Sequence, residues 1–222
     1  RRFTLQALGL ALALGSASPA IHAYEHDDDD AGFRAGKVFT SSNAAAGNEV
    51  LVYDAERNGA LRLATRIATQ GIGSGGGLGN QGAVTLSDDR RFLFVVNAGS
   101  NTVSTFRVRR NGLHLTSVVD AGGLRPVSVA EHDGLVVVLN ANGAGNVAAF
   151  RNRHGVLEPV AGATQPLSAA GGTAPAQVSF GEDGRLLIVT EKATNKLTTY
   201  RVRGDGSIEA PVVSASSGMT PF

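Results

Sequence analysis

The chain has 222 residues, with 20 Lys and Arg against 19 Asp and Glu, and it contains neither Cys nor Trp. The basic residues are not gathered into a stripe that neutralises several phosphates, so nucleic acid is not an expected partner. The lack of Cys excludes disulfide bonds, so the fold must be held together by packing.

Residues 1–23 have the features of a signal peptide. Arg1 and Arg2 precede an apolar run that is too short and too interrupted by Gly and Ser to span a bilayer, and Ala23 is a small residue suited to cleavage. The arginine pair fits both twin-arginine export and general secretion. We therefore expect an exported protein, periplasmic or extracellular, with no membrane span in the mature chain. Without this segment the chain has 18 basic and 19 acidic residues.

Residues 24–37, YEHDDDDAGFRAGK, are predicted to form an acidic, flexible tether. Four consecutive Asp residues lie beside His26. Adjacent carboxylates repel one another, and this run lacks the spaced ligands and the glycine turn of a calcium loop. A solvated linker is therefore expected here, and no metal site.

From residue 38 onward the sequence repeats. A turn and a β-rich run precede an aromatic residue four times, at Tyr53, Phe106, Phe150 and Tyr200, which are 44 to 53 residues apart. Repeats of this length, each made of several short strands, are typical of a β-propeller, in which one repeat folds as one blade. The sequence thus predicts an all-β propeller of four-stranded antiparallel blades over residues 38–222.

A second repeated marker, Gly-x-x-Pro or Gly-x-x-Gly, opens three of these units and recurs at the C-terminal end. Its copies are residues 79–82, 123–126, 172–175 and 218–221. Because the last copy begins a unit that does not continue, and the chain lacks an initial Met, we expect a fragment that is open at both ends. About four of seven blades are then present, since a ring of six to eight blades needs roughly 300 to 390 residues.

Within the second unit the strands are predicted at 83–87, 91–97, 102–108 and 113–119, and the later units keep this order. The first unit lacks an inner strand. The runs LFVV, LVVVL and LLIV suit strands that are covered on both faces. The Gly-rich stretch 71–82 contains GxGxxG matches but lies between β-units, so it is predicted to be a flexible crossover, and a candidate lid, rather than a dinucleotide site.

The repeat unit resembles the lactonase-type seven-bladed propellers, the family of bacterial 6-phosphogluconolactonase and fungal carboxymuconate-lactonizing enzymes. The resemblance is carried by residues 86–108, 127–152 and 175–202, for example LSDDRRFLFVVNAGSNTVSTFRV. The absence of Trp separates the chain from WD40 and kelch propellers. The resemblance implies chemistry on a small lactone without a cofactor.

Lactone hydrolysis needs a base that activates water and a positive group near the carbonyl oxygen. The resemblance implies a Glu at the end of a second strand, with Arg and His near the channel mouth. Glu191 occupies that Glu position, where the preceding units carry Asn97 and Asn140. The Arg-His stretch of the family is replaced by Pro175-Ala176-Gln177, so Asn97, Asn140 and Gln177 are candidate ligand-binding residues.

Arg125, before Pro126 on another inner strand, is the candidate for the missing positive charge. Each catalytic candidate has a structural alternative: Arg125 as a surface arginine on an interblade loop, and Glu191 as an exposed acid that pairs with Lys192 or Lys196. His114, His132 and His154 fall in predicted turns or outer strands without metal-ligand spacing, so they are expected to face solvent.

Two functions remain open. One is an exported lactonase-type hydrolase or isomerase that acts on a small cyclic ester. The other is a non-catalytic propeller that binds a carbohydrate, a peptide or a small metabolite in its axial funnel. The fold alone does not decide between them, because propellers host many activities. The oligomeric state is also left open.

Overall fold

The computed structural model describes residues 36–222 of the chain. This range is built from β-strands and turns, without a helix, and its strands form four antiparallel sheets. The predicted all-β propeller organisation is therefore confirmed. The predicted signal peptide and all but the last two residues of the predicted tether lie outside the described residues.

Each sheet is one predicted repeat, with its strands arranged in chain order. The first sheet has three strands, as expected from the lack of an inner strand, and β1 begins one residue inside the predicted tether. The bounds for the first two sheets are β1 (Lys37–Ser41), β2 (Glu49–Ala55) and β3 (Leu61–Ala68), then β4 (Val84–Leu86), β5 (Phe92–Asn97), β6 (Thr102–Arg109) and β7 (Gly112–Asp120). The bounds for the last two are β8 (Leu124–His132), β9 (Leu135–Asn142), β10 (Asn146–Arg153) and β11 (Val156–Pro166), then β12 (Pro175–Phe180), β13 (Leu186–Glu191), β14 (Lys196–Arg201) and β15 (Val212–Ala215).

Hydrophobic packing joins neighbouring sheets, here called blades 1 to 4. Successive residues of β5 point to opposite faces of their sheet. Leu93 and Val95 pack against Val50 and Val52 of blade 1, whereas Phe94 belongs to the cluster shared with blade 3. A third cluster joins blades 3 and 4. The continuous apolar runs of the second strands are explained by this arrangement, since both faces of each run are buried.

The repeated aromatic residues stand on the third strand of blades 2 to 4 and on β2 of blade 1. Phe106, Phe150 and Tyr200 are almost fully buried, and Tyr53 is partly buried on β2. Full burial of such a side chain contributes roughly 1.5–3 kcal/mol relative to leaving it exposed. Each of the three buried rings lies in one of the clusters that join adjacent blades, so the repeat marks the blade junctions.

The blades present two ends, and the candidate residues lie at one of them. We call this end the crossover face, because it holds the interblade crossovers, 69–83, 121–123 and 167–174, and the turns 42–48, 98–101, 143–145 and 192–195. At the opposite end, Arg107 donates to the carbonyl of His154 at 3.1 Å and Arg151 to that of Gly204 at 3.3 Å. Each of these arginines thus links one blade to the hairpin of the next.

Candidate functional site

The three residues predicted at the ends of second strands occupy equivalent, buried positions on the crossover face. Asn97 pairs with Thr102, Asn140 with Asn146 and Glu191 with Lys196 at the start of the adjacent third strand. Asn97, Asn140 and Glu191 each have no exposed surface. The roles of these three side chains therefore follow from their hydrogen bonds rather than from contact with solvent.

Asn97 connects blade 2 to the crossover that leaves blade 1. Its Oδ1 accepts from Asn48 Nδ2 at 2.9 Å and from Thr69 Oγ1 at 2.8 Å. Its Nδ2 donates to Thr102 Oγ1 at 3.0 Å and to Ser104 Oγ at 2.8 Å. Each amide atom has two partners, so this side chain is a saturated structural link between the blades.

Asn140 makes the corresponding link between blades 2 and 3, but incompletely. Its Nδ2 donates to the Ala121 carbonyl at 2.9 Å and to Asn146 Oδ1 at 2.8 Å. Its Oδ1 is buried without a hydrogen-bond partner. Ala121 stands where blade 1 has Thr69. The Ala121 N–H donates to the carbonyl of Asn101, which lies before β6, as the Thr69 N–H donates to the carbonyl of Asn48, which precedes β2. The hydroxyl that satisfies Asn97 is therefore missing here.

Glu191 makes the third of these links and accepts hydrogen bonds from four donors. Its Oε1 accepts from the Ser168 N–H at 3.0 Å and from Thr198 Oγ1 at 2.6 Å. Its Oε2 accepts from Thr194 Oγ1 at 2.9 Å and from the Ser168 hydroxyl. The carboxylate is thus held between the blade 3 crossover and the blade 4 turn.

The alternative in which Glu191 is an exposed acid is wrong, because the side chain is fully buried. Lys192 instead donates to the Gly79 carbonyl and stacks over the Phe222 ring at 4.8 Å. Tyr200 nearby donates its hydroxyl to Pro166 O at 2.9 Å. Burial raises the pKa of Tyr200, and the Glu191 charge adds to the effect, so this phenol stays protonated.

Arg125 lines an open pocket of about 390 Å³ between the crossovers and turns of blades 1 to 3. Its backbone is left-handed, with φ of 55°, and its N–H donates to Asn101 Oδ1 at 2.7 Å. Its guanidinium forms no hydrogen bond or ion pair with any residue of the described range. The other residues of this Arg125 pocket are Ser74, Gly76, Gly77, Ala98, Gly99, Asn101, Leu124 and Asn142.

The two catalytic candidates are not brought together in one pocket. Glu191 does not line the Arg125 pocket, and neither do Asn97, Asn140 or Gln177. Gln177 lies partly buried on the inner strand β12, opposite Thr190, after a bulge at the start of that strand. Among the described residues, the lining of the Arg125 pocket offers one cation with amide, hydroxyl and peptide groups, and it includes neither a carboxylate nor an imidazole.

The Gly-rich crossover is anchored along its length rather than loosely looped. Asn43 Oδ1 accepts from the Ser74 N–H at 2.8 Å, and Asn43 Nδ2 donates to Gly76 O at 2.7 Å. Further along, the Gln81 N–H donates to Ala176 O on blade 4 at 3.0 Å. The expectation that this stretch is flexible is therefore replaced by a held backbone that forms part of the pocket wall. No local pattern marks Asn43 in the sequence, because its role depends on contacts 31 to 33 residues away.

The three histidines in the described part of the chain lie away from the Arg125 pocket. His114 contacts Asn111 at 3.0 Å, and His154 lies in the hairpin after β10. His132 ends the inner strand β8, rather than lying in a turn or on an outer strand as predicted, and pairs with Asp88 at 3.2 Å. Over residues 36–222 no group of three or more acidic or histidine side chains is arranged to hold a metal ion, and no helix is long and apolar enough to cross a membrane.

The fold defines a β-propeller with an open pocket on its crossover face. A sequence model of the family "Lactonase, 7-bladed beta-propeller" matches residues 46–165. The chain therefore belongs to this lactonase propeller family, as the resemblance of its repeat units predicted.

Relatives and solved structures agree with the family but extend well beyond this chain. An uncharacterized protein of Staphylococcus aureus strain COL is 37% identical over 76 residues, which are 32% of this chain and 22% of the relative. A Lactobacillus plantarum protein has a TM-score of 0.65 at 11% identity, over 84% of this chain and 55% of its own. The periplasmic gluconolactonase of Pseudomonas aeruginosa has a TM-score of 0.56 at 17% identity, over 83% and 55%. The match thus covers about a fifth of the curated relative and just over half of each structure.

Proposed function

We propose that this protein binds a small hydroxylated lactone, or the hydroxy acid formed when such a lactone opens, in the Arg125 pocket. The observation that carries the proposal is the Arg125 guanidinium, which has no partner among residues 36–222 and belongs to the wall of an otherwise uncharged polar pocket. A guanidinium presents donors in a fixed fork that matches a carboxylate. The amides of Asn101 and Asn142 and the hydroxyl of Ser74 add groups suited to sugar hydroxyls.

The family and the fold support the lactone class. The chain belongs to the lactonase propellers, and one of its structural neighbours is a gluconolactonase. Gluconate is therefore a suitable first probe, since it combines a carboxylate with several hydroxyl groups. The pocket volume of about 390 Å³ lies within the range of small-molecule sites.

Isothermal titration of the purified protein with gluconate tests the proposal. We expect Arg125→Gln to weaken binding by roughly 10- to 100-fold, because a hydrogen bond to a charged group contributes about 1.5–3 kcal/mol. Arg153→Gln is the matched control, since Arg153 is an exposed arginine on the opposite end of the blades. Equal affinity in the wild type and Arg125→Gln, or no gluconate binding at all, overturns the assignment.

Hydrolysis of the lactone is a second candidate, favoured by the one carboxylate among the three equivalent crossover-face positions. In this reaction a water adds to the carbonyl carbon, the ring C–O bond breaks, and the ring oxygen leaves as a hydroxyl after gaining a proton. Glu191 would take the proton of the water and return it to the ring oxygen, whereas Arg125 lines a pocket that does not include Glu191. Glu191 would first have to lose some of its four protein hydrogen bonds.

Turnover of a panel of lactones by the protein and its Glu191→Gln variant separates the two functions. A general-base role predicts a loss of at least about 100-fold in kcat for the variant, measured below its melting temperature. Equal rates in the two proteins reject Glu191 as the base. Absence of turnover in the wild type, together with gluconate binding, leaves the non-catalytic propeller as the function.

We also propose that the protein is exported, on the sequence of residues 1–23. Expression of the chain in a Gram-negative host, followed by mass spectrometry of the periplasmic fraction, should find a mature N-terminus after Ala23. Retention of residues 1–23 in the cytoplasm argues against export. A host that lacks the twin-arginine translocase distinguishes the two export routes.

A further inference from the structure

The Gly-rich crossover separates two pockets on the crossover face. Beside the Arg125 pocket lies a second one of about 410 Å³, which we call the Ser41 pocket. Both pockets are lined by Gly76 and Gly77, so the two meet at this short piece of backbone. The remaining wall of the Ser41 pocket includes Ser41, Ser42, Asn43 and Asn80.

The two pockets differ in charge. The Arg125 pocket contains one cation, whereas the Ser41 pocket is lined by uncharged hydroxyl, amide, glycine and small apolar residues. Within residues 36–222, the Ser41 hydroxyl and the Asn80 side-chain oxygen Oδ1 have no hydrogen-bond partner. The Asn80 side-chain nitrogen Nδ2 donates to Val127 O. The Ser41 pocket therefore suits a neutral, hydroxylated group.

The wall between the pockets is bare peptide backbone that is held in place. Gly76 O accepts from Asn43 Nδ2 at 2.7 Å and from Ser74 Oγ at 3.1 Å. The peptide N–H groups of Gly76 and Gly77 donate to no other described residue. With no side chain above them, these N–H groups are accessible to a molecule that crosses from one pocket to the other.

We propose that the ligand spans both pockets and is an acidic disaccharide, in which an aldonic acid or its lactone is joined to a neutral sugar. The acid end lies at Arg125, the neutral sugar lies in the Ser41 pocket, and the linkage crosses Gly76 and Gly77. This inference rests on the proposed function, because it extends the same site. Each pocket alone is near the lower end of the volume range of small-molecule sites, while the two together suit a longer ligand.

Three probes of graded structure test the inference by isothermal titration. Lactobionate carries both the acid and the neutral sugar, gluconate carries the acid alone, and lactose is an uncharged disaccharide. We expect lactobionate to bind at least about tenfold more tightly than either of the others, equivalent to about 1.4 kcal/mol. Arg125→Gln should remove most of the difference between lactobionate and lactose.

Ser41→Leu places a larger apolar side chain in the Ser41 pocket without touching the Arg125 pocket. It should lower the ratio of lactobionate to gluconate affinity by about tenfold. Ser214→Leu, at an exposed strand position away from both pockets, is the control and should leave the ratio unchanged. A thermal melt of each variant checks that it is folded.

The outcomes separate this inference from the proposed function. Gluconate binding that depends on Arg125, with no gain for lactobionate or no effect of Ser41→Leu on the ratio, overturns the two-pocket ligand and leaves the proposed function standing. Failure of both gluconate and lactobionate to bind overturns both. A lactobionate affinity that Arg125→Gln leaves unchanged also overturns the inference, because the acid end is then not at Arg125.

Discussion

Arg125 combines an unfavourable backbone conformation with a side chain that has no partner in the described residues. A left-handed backbone costs a residue other than glycine roughly 1–2 kcal/mol. The Asn101 amide holds Arg125 in that conformation through a hydrogen bond of 2.7 Å. Strain of this kind is commonly found at binding and active sites. Ala174 with φ of 45° and Thr220 with φ of 48° have the same backbone in the other copies of the Gly-x-x-Pro marker, so the cost in stability belongs to the repeat and Arg125 adds a cation to it.

The stability cost of this backbone conformation can be measured separately from the contribution of the cation to binding. Arg125→Gly relieves the strained φ of 55° and removes the cation, so we expect the free energy of unfolding to rise by up to about 1 kcal/mol while gluconate affinity falls. Arg125→Gln removes the cation but keeps the strain, so its stability should match the wild type. Urea unfolding and titration of both variants provide the measurements. A loss of stability in Arg125→Gly would show that its side chain packs rather than binds.

The Asn140 oxygen lacks both of the donors that the Asn97 oxygen has. In blade 1 the residue before β2, Asn48, donates its Nδ2 to Asn97 Oδ1. Its counterpart in blade 2, Asn101, accepts from the Arg125 N–H through Oδ1, and its Nδ2 donates to no described residue. Because Ala121 also lacks a hydroxyl, Asn140 Oδ1 has neither the amide donor nor the hydroxyl donor that Asn97 Oδ1 has.

Restoring the hydroxyl should stabilise the protein. We expect Ala121→Ser to donate to Asn140 Oδ1, as Thr69 does to Asn97, and to raise the free energy of unfolding by roughly 1 kcal/mol. Ala149→Ser, which adds a hydroxyl in the apolar cluster between blades 3 and 4, is the control and should destabilise. Denaturant melts decide the sign. A destabilised Ala121→Ser would contradict the proposed equivalence of Ala121 and Thr69.

At the scale of the element, the Gly-rich crossover depends on close backbone contact at some glycines and not at others. A Cβ on Gly73 would overlap the backbone carbonyl of Asn43, whereas a Cβ on Gly77 would meet nothing within 4 Å. Gly73 N–H also donates to Ala44 O at 2.9 Å. The crossover is thus packed tightly against Asn43 at Gly73, whereas there is free space beside Gly77, between the two pockets.

Paired substitutions test this asymmetry. Gly73→Ala should lower the free energy of unfolding by about 1–3 kcal/mol, as forced overpacking does, and should weaken gluconate binding by displacing the crossover. Gly77→Ala should leave stability within about 0.5 kcal/mol of the wild type. Thermal melts and titration measure both effects. Equal stability of the two variants would mean that the crossover does not approach Asn43 this closely.

The strands were predictable because apolar runs and turn residues are local signals in the sequence. These signals located all four blades. The buried state of Glu191 was not, because Lys192 and Lys196 beside it suggested an exposed ion pair. The donors that bury its charge include Ser168, 23 positions away, which is fixed by the packing of two blades. Of the residues at the Arg125 pocket, Arg125 itself was a predicted candidate. The hydrogen bond from the Arg125 N–H to Asn101 and the bond from Asn43 to the crossover were not predicted, because both depend on long-range contacts.

At the scale of the whole molecule, adjacent residues of one strand stabilise different junctions. Leu93→Ala removes contacts between blades 1 and 2, and Phe94→Ala removes contacts between blades 2 and 3. Each should cost about 2–5 kcal/mol. Hydrogen exchange should show the largest loss of protection in blade 1 for the first variant and in blade 3 for the second. The same pattern of exchange in both variants would contradict separate junctions.

Every described sheet packs its apolar side chains against the sheets beside it. Duplication of one repeat therefore produces a new blade whose faces already fit those of its neighbours. Chemistry can then diverge at the turns and crossovers, one copy at a time, while the stacked interior stays the same. The Glu191 found where sister repeats carry Asn97 and Asn140 is consistent with divergence of that kind.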